Sequence, residues 1–301
     1  MITNVPSADD FFRTGKELLI FSWDGVTKLL IELDEAEYLG YDTSEMSESY
    51  WSLAQRNLAT YLTVMQQGLE FLVKGRICEI SPYLLISDTP SKWPSPYAGD
   101  IDFSTFRTID AQDLTKVHDS FAQVKLSKAF VDKFGELRQT RNSLMHSVNT
   151  SFKVTFVEII ESLLFMHKEL FPNEPWAKLR RESLELTPAA ELGAYEYISN
   201  YACQELSLIV KLLPPSKVLS YFKINKKRRG YMCPKCQSDA SSDIDFDYRL
   251  ARLTTEKPRC KTLYCPVCDV EHPVVRRKCT DNSCLGNVLG GDFETCLTCG
   301  Q

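Results

Sequence analysis

Nine of the eleven cysteines in this 301-residue chain fall after residue 230. Eight of those nine form pairs. Cys233/Cys236, Cys265/Cys268 and Cys296/Cys299 have the C-x-x-C spacing, and Cys279/Cys284 is C-x4-C. Two thiolates on one tight turn can both reach a Zn²⁺ ion at about 2.3 Å, and a second such turn closes the tetrahedron. Proline or glycine eases the bend in Cys-Pro-Lys-Cys, Cys-Pro-Val-Cys and Cys-Leu-Thr-Cys-Gly. The order of the pairs predicts one site from Cys233, Cys236, Cys265 and Cys268, and a second from Cys279, Cys284, Cys296 and Cys299. Two closed, all-sulfur zinc sites hold a fold and do not perform chemistry. Cys260 is left over as a strand residue, with Cys260/Cys265 as an alternative C-x4-C pair. Cys78 and Cys203 stand apart as ordinary thiols, and two complete four-cysteine sets leave His272 no vacancy.

The second chemistry-bearing feature is an arginine in an apolar stripe. Phe130, Phe134, Leu137, Leu144 and Val148 recur at helical steps of 4, 3, 7 and 4, and Arg141 fills the gap in the long step. A guanidinium there is costly unless it is paired or faces a crevice. His146 follows five residues later, about 140° round an ideal helix. Aiming both side chains at one atom requires a bend, a curled arginine or a second subunit. His118 and His167 read as structural.

The segment Arg141-Asn142-Ser143-Leu144-Met145-His146 resembles the R-x(4–6)-H motif of HEPN domains, in which a polar residue such as asparagine often follows the arginine. The resemblance covers roughly residues 45–215 and rests on this one motif. It departs from the subfamily with an upstream acidic-Lys-Arg extension, because Gln139-Thr140 precede Arg141 and Glu136 is one position off. The resemblance implies a helical, metal-independent endoribonuclease that acts as a homodimer, the two motifs meeting at the interface. In that chemistry His146 takes the 2′-hydroxyl proton of RNA as a general base near neutral pH. Arg141 stabilises the negative phosphorane, and Asn142 orients the phosphate or the histidine. The products are a 2′,3′-cyclic phosphate and a 5′-hydroxyl, and DNA is no substrate. The family further implies a toxin–antitoxin or antiphage-defence role, with an antitoxin or another defence component as partner protein.

The elements that position these residues follow from periodicity. Residues 49–74, 128–146 and 152–171 read as amphipathic helices, and 9–38 as one or two shorter ones. Thr187 caps a helix opened by Pro188 and stopped by Pro214-Pro215. Residues 79–105 hold four prolines and read as an irregular connection. No convincing strand precedes residue 230. The expected architecture is mainly α: a HEPN-like helical domain over 1–223, then a small β-rich tandem zinc-ribbon domain over 224–301.

Charge divides at the same junction. Residues 1–223 carry 22 basic and 30 acidic side chains; residues 224–301 carry 13 and 10. The basic clusters Lys226, Lys227, Arg228, Arg229 and Arg276, Arg277, Lys278 are candidate contacts to nucleic-acid phosphates. No window is apolar enough to span a membrane. The N-terminus has no basic or apolar signal region, so a reducing cytoplasmic setting is expected, where disulfides are rare. Phosphate-cradling glycine loops and H-E-x-x-H or G-x-S-x-G motifs do not occur. A different class of function is the alternative: a non-catalytic helical scaffold whose ribbons bind nucleic acid or a partner protein.

Overall fold

The computed structural model describes every residue except 96, 98, 147–152, 242–245, 256, 258 and 291–293, and omits the side chains of 43–46, 146 and 196. The protein is mainly helical, with a small antiparallel sheet near its C-terminal end. It divides into two compact units, Met1–Leu170 and Phe171–Gln301. No helix among the described residues is long and apolar enough to cross a membrane.

Helix α1 (Ala8–Tyr38) opens the first unit. Ser7 caps it through a reciprocal box: Asp10 N–H donates to Ser7 Oγ at 3.2 Å, and Ser7 N–H donates to the Asp10 carboxylate at 3.1 Å. The Ser7 hydroxyl, donating to the Asp10 carboxylate at 2.7 Å, and then the Ser7 N–H hold the Asp10 carboxyl below its ordinary pKa. Residues 9–38 thus form one unbroken helix and not two short ones. Helix α2 (Thr43–Leu53) follows, and α3 (Gln55–Ile80) runs back along α1. The predicted 49–74 helix is interrupted at Ala54, between α2 and α3.

Glycines set the α1–α3 separation. A Cβ on Gly15 would lie 2.9 Å from the Gly68 carbonyl oxygen, and a Cβ on Gly68 would lie 2.9 Å from that of Gly15. Only two residues without side chains let the backbones approach this closely. Around the crossing Leu19, Trp23, Val26, Leu58, Leu62, Met65, Leu69 and Leu72 are buried.

Three further helices pack on α3: α4 (Ala111–Phe121), α5 (Lys128–His146) and α6 (Phe156–Leu170). Helix α5 has the bounds its periodicity predicts. The intervening connection contains short 3₁₀ turns and one strand, β2 (Ile101–Asp102), parallel to β1 (Ile2–Thr3). Among the described residues before 230, this two-residue ladder and an isolated antiparallel bridge, Ile86 to Thr108, are the extended pairings. Both are too short to carry an alternating signal.

The second unit begins with α7 (Trp176–Glu185), the single-turn α8 (Pro188–Glu191), α9 (Ile198–Leu212) and α10 (Pro215–Phe222). Thr187 caps α8 as predicted, but Gly193 at φ +96° breaks the expected helix before α9. A buried, two-pronged ion pair joins α7 to α9: Arg180 Nε and Nη2 each donate to the Glu205 carboxylate at 2.9 Å. After α11 (Pro234–Ser238), strands β3 (Arg252–Leu253), β4 (Thr262–Cys265), β5 (Val270–Val275) and β6 (Leu289–Gly290) pair in sequence order, all antiparallel.

The composition boundary at 223 is therefore not the boundary between compact units. Arg181 of α7 bonds Asp239 at 2.6 Å, and Ser241 N–H donates to Asn200 of α9 at 3.0 Å. These contacts place α7–α10 with the cysteine-rich segment.

Candidate metal centres and the Arg141 cleft

Both predicted four-cysteine sets assemble. In each, the four sulfurs lie within 4.8 Å of one another. A tetrahedral ion bonded to four sulfurs at about 2.3 Å needs them about 3.8 Å apart. In the first set the Cys233–Cys268 and Cys236–Cys265 sulfurs are 3.7 and 3.8 Å apart. In the second, Cys279–Cys299 and Cys284–Cys296 are 3.7 and 3.9 Å apart. Each group can hold one metal ion.

Local structure builds the first site from two knuckles. Cys233 is the N-cap of α11 and Cys236 lies in its first turn, where Cys236 N–H donates to the Cys233 sulfur at 3.5 Å. Cys265 ends β4, and Cys268 follows in the turn to β5, where Asp269 takes φ +52°. Cys233, Cys236 and Cys265 are buried and Cys268 half-buried. Hydrogen bonds from Cys233, Cys236 and Cys265 hold the Cys268 thiol far below its ordinary pKa. The bond with Cys203 of α9 is the largest influence pushing Cys236 up.

Three residues around this site escape the sequence pattern. His272 Nε2 lies 3.4 Å from both the Cys233 and Cys268 sulfurs, as a neighbour of the four-sulfur set and outside it. Such outer partners orient ligands and offset thiolate charge. Arg181 Nη1 lies 3.9 Å from the Cys236 sulfur. Burial works against its charge, but Asp239 and the nearby sulfurs outweigh it and raise its pKa. Cys203 is the third.

The second site is more exposed: Cys279 and Cys284 are half-buried, Cys296 buried and Cys299 exposed. Backbone donors again point at sulfur, Asp281 N–H to Cys279 at 3.4 Å and Gly286 N–H to Cys284 at 3.3 Å. Although burial opposes its thiolate, the N–H groups of Thr298 and Cys299 bring Cys296 down to about 7. Gly286 is wedged here, since a Cβ on it would stand 2.7 Å from the Cys296 sulfur and 3.0 Å from Thr298. A ligating sulfur cannot yield without leaving the tetrahedron. Gly286→Ala is therefore expected to halve the metal bound per chain while the first site keeps its ion, as elemental analysis would read. Cys260 belongs to neither site: its sulfur is buried beside Thr254 Oγ1 at 3.5 Å and the Thr262 carbonyl at 3.3 Å.

On α5, Phe130, Phe134 and Leu137 are buried as the stripe predicts, and Leu144 is half-buried. Arg141 sits on the rim of the buried face, its side chain 32% exposed. It donates to Asn142 Oδ1 at 3.0 Å and reaches Glu70 of α3 at 3.5 Å, the outer limit of a hydrogen bond. Glu70, Asp110, Ala111, Gln112, Arg138, Arg141 and Asn142 line an open cleft of about 200 Å³. His146 is the last residue of α5. Its side chain and Val148 lie outside the described residues. His118 and His167 are buried, consistent with structural roles, and His118 bonds Asp119 at 2.8 Å.

The basic clusters are largely engaged within the chain. Lys226 donates to the Lys211 and Leu213 carbonyls at the C-terminal end of α9, at 3.3 and 3.2 Å. Arg228 reaches the Leu253 carbonyl, and Arg229 lies over the Tyr231 ring. Arg277 pairs with Glu294 at 2.5 Å, and Arg276 contacts Asn287 at 3.4 Å. Lys227 and Lys278 are exposed.

Fold and sites together define a mainly helical protein with two tetra-cysteine groups that could each hold a metal ion. No family model, curated protein or solved structure matches the chain.

Proposed function

We propose that the chain is an endoribonuclease that cleaves RNA without a catalytic metal, with two structural zinc ions in its C-terminal unit. The observation that carries the first part is Arg141: a guanidinium at the rim of an apolar helix face, opening into a polar cleft, where it donates to the adjacent Asn142 at 3.0 Å and meets a carboxylate, Glu70, at no less than 3.5 Å. A fully committed structural ion pair is shorter and two-pronged, as Arg180–Glu205 is here. The same helix ends at His146.

In the reaction His146 accepts the 2′-hydroxyl proton, the 2′-oxygen attacks the adjacent phosphorus, and the 5′-oxygen leaves. Arg141, oriented by Asn142, stabilises the charge on the phosphorane. The angular offset between Arg141 and His146 supports a homodimer in which one subunit's arginine works beside its partner's histidine. The likeness of the motif to HEPN domains supports a toxin or antiphage effector kept in check by a partner protein. All-sulfur tetrahedra favour zinc among common metals, and a reducing cytoplasm keeps eight ligating thiols available.

The test is single-stranded RNA incubated with the zinc-loaded protein and no added divalent metal. Fragments ending in 2′,3′-cyclic phosphate are expected from the wild type and not from the Arg141→Ala/His146→Ala double variant. Equal cleavage by both would overturn the proposal. The Glu70 contact favours a second reading, a non-catalytic scaffold. Its docking site would be a cleft of about 500 Å³ in the C-terminal unit, walled in part by Lys235, Asp239, His272 and Leu297.

A further inference from the structure

We infer that Arg138 is a second phosphate-binding residue of the Arg141 cleft, so that the cleft takes two consecutive phosphodiesters of one RNA strand. The identity of the strand rests on the ribonuclease reading; the phosphate site itself rests on the geometry.

Arg138 and Arg141 are three residues apart on α5, which places them on one face with Cβ atoms about 5–6 Å apart. Both line the same cleft. The neighbouring cations are already engaged. Arg107 grips the Asp110 carboxylate at 2.9 and 3.1 Å, Lys133 pairs with Glu136 at 2.9 Å, and Lys74 donates to Thr108. Arg141 holds Asn142 and, weakly, Glu70. Arg138 is half-buried as a residue, and its guanidinium makes no hydrogen bond or ion pair with any described residue.

A guanidinium offers five donors and cannot shed its charge. Arg138 therefore keeps donors to offer a ligand that reaches the cleft, and an oxyanion is the group that best fits them. On another wall Ala111 and Gln112 begin the eleven-residue α4, whose first N–H groups the Asp110 side chain does not cap.

Two arginines on one face match successive phosphates of a single strand better than a duplex. The cleft is small, about 200 Å³, and its Glu70 and Asp110 carboxylates are each met by an arginine, which leaves room for one backbone. The roles then separate. Arg141 serves the phosphate that reacts, and Arg138 grips its neighbour, which is bound equally before and during the reaction. Uniform binding of that kind lowers KM and leaves kcat alone.

The experiment pairs binding with turnover. A fluorescent 2′-O-methyl oligonucleotide, uncleavable by 2′-oxygen attack, is titrated at several salt concentrations, and cleavage of the matching RNA is timed. Arg138→Ala is expected to weaken binding and raise KM about tenfold, with kcat within about twofold. Its salt slope should fall by about 0.7, the loss of one single-strand phosphate contact. Arg138→Lys should recover most of the affinity, which a merely structural arginine would not show. Unchanged affinity and salt slope in Arg138→Ala would overturn the inference. Arg138-dependent binding without cleavage by the wild type would remove the ribonuclease reading and keep the phosphate site. Cleavage with a KM indifferent to Arg138 would do the reverse. No binding by the wild type would remove both.

Discussion

Serine in place of Cys265 is expected to cost the first metal site its ion and the C-terminal unit its cooperative fold. The Cys265 sulfur is buried at the end of β4, 3.8 Å from Cys236, and both lie where two backbone turns meet. Structural zinc supplies about 10–16 kcal/mol of apparent binding free energy in small metal-dependent folds. That is comparable to or larger than the whole stability of a typical domain, about 5–15 kcal/mol. A hydroxyl is a poor replacement ligand, so zinc per chain should fall from two to one and the thermal transition of the unit should broaden or vanish. Cys299→Ser makes the control. It should lose one zinc as well, but its site is exposed and carries less buried structure, so the main transition should persist at a lower Tm. Two zinc ions and a wild-type melt in Cys265→Ser would remove the assignment of that ligand.

The second large effect is kinetic. Arg141→Ala is expected to lower the cleavage rate by about 10²–10³-fold, about 3–4 kcal/mol of transition-state stabilisation, as removal of a charge-stabilising donor does elsewhere. Arg141→Lys should recover little, because an ammonium cannot present the planar fork that two phosphoryl oxygens accept. Stability should hardly move. The side chain is about one-third exposed and its Glu70 contact is long, so the pair contributes on the order of 0–1 kcal/mol. Single-turnover cleavage and a thermal melt on the same preparations separate the readings. If Arg141 is only a structural partner of Glu70, Arg141→Ala and Glu70→Ala should lower Tm alike and neither should touch an RNase rate.

What could be read in advance was what depends on short-range spacing. The cysteine pairs within each tetrad, the bounds of α5 and the cap at Thr187 lie within a few residues of their own signals, and the order of the pairs along the chain matches them into tetrads. Partners brought from afar left no such trace. Glu70 is 71 residues from Arg141, and Cys203 and Arg181 reach the first metal site from helices that composition groups with the N-terminal domain. His272 did carry a signal, four residues after Cys268, but a complete ligand set hid its role as a neighbour to the sulfurs. The basic run at Lys226–Arg229 likewise has partners that no local spacing shows. Counted as free charge, most of it is engaged by carbonyls and an aromatic ring of its own unit. Arg138 lies three residues before the motif and matches no spacing rule, so only its empty surroundings single it out.

The glycine crossing has a mechanical consequence for the cleft. With Gly15 and Gly68 in backbone contact, α3 can neither approach α1 nor rotate against it without a clash. Glu70 sits two residues beyond that contact, on a wall that does not give. Any widening of the cleft to admit a nucleotide strand is therefore expected on its other sides, where α4 and α5 supply the lining. The cleft has one braced wall, and both arginines stand on another.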